Sequence, residues 1–145
     1  MPLNLPEPLA LYHSWPMTES GVRLNAHHQA ADSMPSGRVI GTWSCDLRDN
    51  RLVWSDAVYD LFGLERGSPI DRRDIVGLYR SGDRDIMEQL RAHAIRHRRG
   101  FTMDAEIETV RGQFRWMRLA AVAVCKAGKV VALQGLKQDV SVQHR

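Results

Sequence analysis

Residues 101–108 alternate without exception: Phe101, Met103, Ala105 and Ile107 are apolar, while Thr102, Asp104, Glu106 and Glu108 are polar. A period of two describes a β-strand with one face on a core and the other in water. Arg111-Gly112 reads as a two-residue hairpin turn, and Phe114–Cys125 as the returning strand. That turn pairs Ile107 with Trp116, Ala105 with Arg118, Met103 with Ala120 and Phe101 with Val122. Trp116 and Arg118 are therefore expected on the inner, apolar face. Met117, Leu119, Ala121 and Ala123 are expected on the outer face, as an apolar strip in need of a cover. Ala127-Gly128 turns the chain again, into a last strand over Lys129–Val140.

Upstream, Gly41–Leu47 and Arg51–Trp54 read as strands joined by an Asp49-Asn50 turn. Ser55-Asp56 then caps a short helix carrying Val58, Leu61 and Phe62, which Gly63 ends. A second short helix is expected around Asp71–Leu78. Asp83 caps a longer one over about 84–98, whose stripe is Ile86, Met87, Leu90 and Ala94. The order is β-β-α-α-α-β-β-β, an α+β class.

Prolines 2, 6, 8, 16 and 35 crowd the start of the chain, and only Pro69 follows. Residues 1–38 are therefore read as an irregular N-terminal extension, 39–141 as the domain and 142–145 as a tail. Within the extension, Thr18 caps a helix over about 19–33 with a thin stripe of Val22, Ala26, Ala30 and Met34. A stripe that thin needs another surface, and the outer strip of the sheet supplies one.

The chain has 145 residues, enough for one core, with 43% hydrophobic and 26% charged residues. Its longest apolar run, Leu119–Cys125, falls far short of the ~20 residues of a membrane helix. No leader pattern opens the sequence, so a cytoplasmic protein without a membrane partner is expected. A net charge of +3 is too balanced for a dedicated nucleic-acid binder. Cys45 and Cys125 form no CxxC motif and are read as reduced and buried.

The segments GTWSCDLRDNRLVWSDAVYDLFGL (41–64), Asp83-Arg84, FTMDAEIETVRGQFRWMRLAAVAV (101–124) and VVALQGLKQDVS (130–141) together resemble a PAS domain of the bacterial subclass common in sensor kinases and cyclic-di-nucleotide enzymes. Trp43, Asp46, Trp54, Ser55, Phe62, Gly63, Gly112 and Trp116 carry the match. The resemblance covers about residues 39–141. It implies a five-stranded antiparallel sheet with helices on one face and a ligand pocket between them. It also implies that the strands bearing Cys45 and Cys125 are separated by the final strand, over ~9 Å apart and beyond disulfide reach. The Asp139-Val140-Ser141 segment resembles the motif through which such domains pass their signal onward. Two departures stand out. Arg80-Ser81-Gly82-Asp83 replaces the usual His-Pro-Asp-Asp turn, and the cysteine motif of flavin-binding relatives is missing.

The expected function is a non-catalytic sensory or interaction module of bacterial signal transduction, working as a stand-alone regulator or as part of a larger sensor. It would act through protein contact at the outer sheet face, with a second copy or a signalling kinase or cyclase as partner. The interface candidates are Met117, Leu119, Ala121 and Ala123 with Val22 and Ala26 of the extension. The alternative is a small-molecule or cofactor sensor using the pocket, lined by Arg118, Trp116, His97, Phe101, Met103 and Ile107. Arg118 is the candidate for a carboxylate ligand. His93 and His97 lie one helical turn apart but lack further ligands for a metal; no cofactor or metal is expected, with haem or a small metabolite as the lesser alternative. No nucleophile turn or base pairing supports catalysis.

Overall fold

The computed structural model describes residues 13–32 and 40–144. The proline-rich start, Met34 and the boundary after Pro35 lie outside these residues, as does the Ala30 side chain. The elements are β1 (Ser14–Pro16), α1 (Ser20–Asp32), β2 (Gly41–Asp46), β3 (Arg51–Trp54), α2 (Asp56–Phe62), α3 (Arg72–Val76), α4 (Ser81–His97), β4 (Arg99–Glu108), β5 (Phe114–Lys126) and β6 (Lys129–Asp139). The strands form one antiparallel sheet of six in the order β1-β4-β5-β6-β2-β3. Five of these were expected from the sequence. The sixth, β1, comes from the extension: Trp15 pairs with Gly100, and its indole fills the space where any Cβ on residue 100 would stand, at 2.3 Å. Glycine is the residue that admits this docking.

Helices α2, α3 and α4 pack on one face of the sheet through Val58, Leu61, Phe62, Ile75, Met87, Leu90 and Ala94. Their counterparts on the strands are Phe101, Met103, Ala105, Ile107, Met117, Leu119 and Ala121. The last three correct the expected register. Phe101 faces Ala121, Met103 faces Leu119, Ala105 faces Met117 and Ile107 faces Arg115. The cause is the hairpin loop. Thr109 N–H donates to Gln113 O at 2.8 Å and Gly112 N–H to Thr109 O at 2.9 Å, so Val110-Arg111-Gly112 is a three-residue loop with Gly112 at φ 83. One extra loop residue moves every β5 side chain to the other face. Met117, Leu119, Ala121 and Ala123 are core residues, buried to 5% exposure or less, and cannot form an outer interface. Trp116 and Arg118 point outward. The second hairpin is as read: Ala127 and Gly128 both have positive φ, 51 and 76, the pattern of a two-residue turn.

Helix α1 does lie on the outer sheet face, against β5 and β6. It turns a different side to it than its stripe suggested. Val22 is 74% exposed and Ala26 is also exposed, whereas Leu24 is half-buried and His27 buried. A 3-10 turn, Met17–Glu19, precedes the helix in place of a Thr18 cap. Ser55 and Asp83 also act differently from simple caps. Ser55 Oγ accepts from Thr42 N–H at 2.9 Å, and Asp83 Oδ2 accepts from Glu106 N–H at 2.8 Å. Each fastens a helix start to a strand. Asp71 is a true cap, accepting from Arg73 N–H at 2.8 Å, and Gly63 ends α2 in the left-handed region.

Candidate functional site

Between the sheet and helices α3 and α4 lies a cavity of about 50 Å³. The inner face of the sheet contributes Trp43 and Cys45 from β2, Leu52 from β3, Phe101 from β4, Leu119 from β5, and Leu133 and Lys137 from β6. The helical side contributes Arg72, Ile75, Val76, Met87 and Arg91, and Tyr79 completes the wall. Of the residues that the sequence pointed to for a pocket, only Phe101 lines this cavity. Met103 and Ile107 are buried in the adjoining core. His97 is exposed at the end of α4, its ring 4.6 Å from that of His93. Burial, then the neighbouring His97 and arginines, lowers the pKa of His93. No group of three or more potential metal ligands occurs among the described residues.

Lys137 is the residue that sequence reading missed. It faces inward on β6 opposite Leu119 and Gly41, and is 7% exposed. Its Nζ lies 5.0 Å from the centre of the Phe62 ring, 5.4 Å from Trp43 and 5.5 Å from Trp54. Trp54 in turn stacks on Phe62 at 5.0 Å and meets Tyr59 edge-on at 5.2 Å. Ring faces attract the ammonium electrostatically and replace part of its lost hydration. Among the described residues no hydrogen bond or ion pair reaches it. Burial therefore lowers its pKa to about 7, with Cys45 opposing and Arg72 reinforcing the shift. The legible signal was parity: Lys137 stands four residues after the core Leu133, on the same face of one strand.

The two arginines at the cavity have other tethers. Arg72 pairs with Glu88, and Arg91 Nη2 donates to Asn50 Oδ1 at 3.0 Å. Among the described residues no carboxylate lines the cavity. Burial raises the pKa of Tyr79, leaving it a neutral phenol.

On the outer face, Arg118 forms a two-pronged pair with Asp104, Nε to Oδ1 at 2.7 Å and Nη2 to Oδ2 at 2.9 Å. His144 Nε2 lies 2.8 Å from Asp104 Oδ2, and its ring stacks on Trp116 at 4.0 Å. Asp139 and Ser141 build the turn that brings His144 there. Asp139 Oδ1 accepts from Ser141 N–H at 2.9 Å, and Ser141 Oγ accepts from Trp116 N–H at 3.0 Å. Arg118 and Trp116 thus lie against Asp104 and the turn that follows β6, not at the cavity. Cys45 and Cys125 are both free thiols on strands separated by β6; Cys45 is buried, but Cys125 is exposed beside an irregularity between Val124 and Cys125.

No protein-family model matches the chain, and no curated protein matches it. Solved structures do. The N-terminal domain of a diguanylate cyclase with PAS/PAC sensor from Marinobacter aquaeolei matches at TM-score 0.68 and 18% identity, over 74% of this chain and 100% of that one. A sensory box histidine kinase/response regulator from Burkholderia thailandensis matches at 0.66 and 21%, over 81% and 86%. An RNA-binding Light-Oxygen-Voltage receptor matches at 0.64 and 19%, over 73% of this chain, which spans only 30% of that receptor. No helix among the described residues is long and apolar enough to cross a membrane. With its antiparallel sheet, helices α2, α3 and α4 gathered on one face and these structural neighbours, the chain has the fold of a PAS domain.

Proposed function

We propose that the chain is a non-catalytic sensory module of cytoplasmic signal transduction, in which a small molecule in the cavity is reported to a protein partner through the outer face of the sheet. The carrying observation is that single strands serve both surfaces. In β6, Leu133 and Lys137 wall the cavity, while Gln134 and Leu136 on the opposite face line a groove beside Leu24 of α1. A shift of β6 that accommodates a ligand must move what rests on its back.

The outer groove continues along Thr42, Ser44, Val53 and Val122, with Val53 58% exposed. A partner, either a second copy or a signalling kinase or cyclase, meets the sheet here rather than on the buried Met117–Ala123 strip. The cavity favours a small ligand over a flavin or haem, since pockets for drug-sized or cofactor ligands run to ~300–1,000 Å³. That its structural neighbours include domains of sensor proteins agrees with a signalling role.

A thermal-shift screen with compounds of few heavy atoms tests this reading. Binding that raises the unfolding midpoint in the wild type and is abolished by Leu133→Phe, which fills the cavity, is the expected result. If no compound binds in a manner that Leu133→Phe blocks, the cavity is not the input.

A further inference from the structure

We infer that the cavity is a site for a short-chain monocarboxylate, its carboxylate held by Lys137 with Arg72 and Arg91 and its aliphatic end packed on Leu52, Ile75 and Leu119. The inference rests on the sensory reading above and names the ligand class for the same site. Among the described residues three basic side chains and no acidic one line the cavity. Two of them are tethered elsewhere, Arg72 to Glu88 and Arg91 to Asn50, so each keeps donors for a further acceptor.

Lys137 differs from both. It is more than nine-tenths buried, has the faces of Phe62, Trp43 and Trp54 around its Nζ with no hydrogen bond or ion pair among the described residues, and lies at the cavity wall. A buried amine without a hydrogen-bonding partner is costly, and an anion entering the cavity supplies that partner. A recess on the other side of Lys137 contains Asp60 and Asp139. Asp60 is engaged by Arg66 at 2.8 Å and Asp139 accepts from the Ser141 amide, and no ion pair joins either carboxylate to Lys137.

Size and wall chemistry set the class. A volume of about 50 Å³ holds roughly three to five water-sized groups, at ~10–15 Å³ each. Acetate and propionate fall in that range. The aliphatic walls favour them over inorganic anions, which have no apolar part to bury.

The rings of Trp43 and Trp54 beside Nζ provide the readout. Intrinsic fluorescence and thermal unfolding are followed while the full chain is titrated with acetate, propionate, acetamide, propionamide and chloride. The carboxylates should produce saturable changes and raise the midpoint, with at least tenfold weaker response to the matching amides and to chloride. Lys137→Met should abolish the carboxylate response while remaining folded, since it removes a buried charge. Arg91→Gln, at the cavity wall, should weaken binding several-fold and supports the same assignment independently of Lys137. Equal binding of amides and carboxylates overturns the anion assignment while leaving a sensory cavity in place. A response to chloride equal to that of propionate overturns the carboxylate class. If neither carboxylate saturates, the inference fails whatever other compounds the cavity binds.

Discussion

Arg118 reaches across the β4–β5 ladder to hold both oxygens of Asp104, at 2.7 and 2.9 Å, on the face of the sheet away from the core. The pair records the strand register, because a slip of one residue would carry Arg118 inward. Both side chains are less than a third exposed. A double-mutant cycle with Asp104→Asn and Arg118→Gln should give a coupling of roughly 1–2 kcal/mol, within the range for charge-assisted hydrogen bonds.

The same pair sets an acid limb of stability. Burial opposes ionisation of Asp104, but hydrogen bonds from Arg118 and His144 outweigh it and hold the carboxyl below its ordinary value. A depressed carboxylate stabilises the fold above its unfolded pKa, and that stability is lost as pH falls through the folded value. Denaturant midpoints measured from pH 6 down to pH 3 should fall more steeply for wild type than for Asp104→Asn.

Lys137 acts in the opposite direction. Its folded pKa of about 7 lies below the unfolded value of 10.5, so between these the unfolded chain binds the extra proton and stability rises with pH. The stability gained by Lys137→Met over wild type should therefore grow as pH falls from 10 to 7, by up to about 1.4 kcal/mol per unit, and level off below 7. A pH-independent difference would mean that the ammonium is solvated.

Leu119→Arg separates the two possible registers. With Leu119 outward, the variant would remain folded. With Leu119 at 3% exposure beside the cavity, it buries an unpaired charge, and the variant should fail to fold or lose several kcal/mol.

Gly100→Ala tests the added strand. A methyl 2.3 Å from the Trp15 indole displaces that ring, so β1 should undock while the five-stranded core remains. Faster amide exchange at Ser14 and Trp15 and a loss of about 1–3 kcal/mol are expected.

The elements were largely readable because their signals are local: the alternation of 101–108, Gly63 after α2, and Asp71 before α3. The face assignment was not. Arg111-Gly112 and Ala127-Gly128 are both X-Gly pairs, yet one sits in a three-residue loop and the other forms a two-residue turn. Both strands after 111 carry apolar residues on either parity, so the pattern does not expose a slip. The cavity depended on that slip, which hid Leu119 as a wall residue and made Arg118 look like a ligand. Lys137 was masked by composition, since a lysine near a strand end reads as solvent-exposed until its parity with Leu133 is weighed.

Hydrogen exchange of Leu133→Phe against wild type tests most directly whether the cavity drives the outer face. Coupling through β6 predicts altered protection in α1 and in the 141–144 turn, neither of which lines the cavity. Changes confined to β6 and the cavity-facing helices, with α1 and the exit turn exchanging as in wild type, would contradict it.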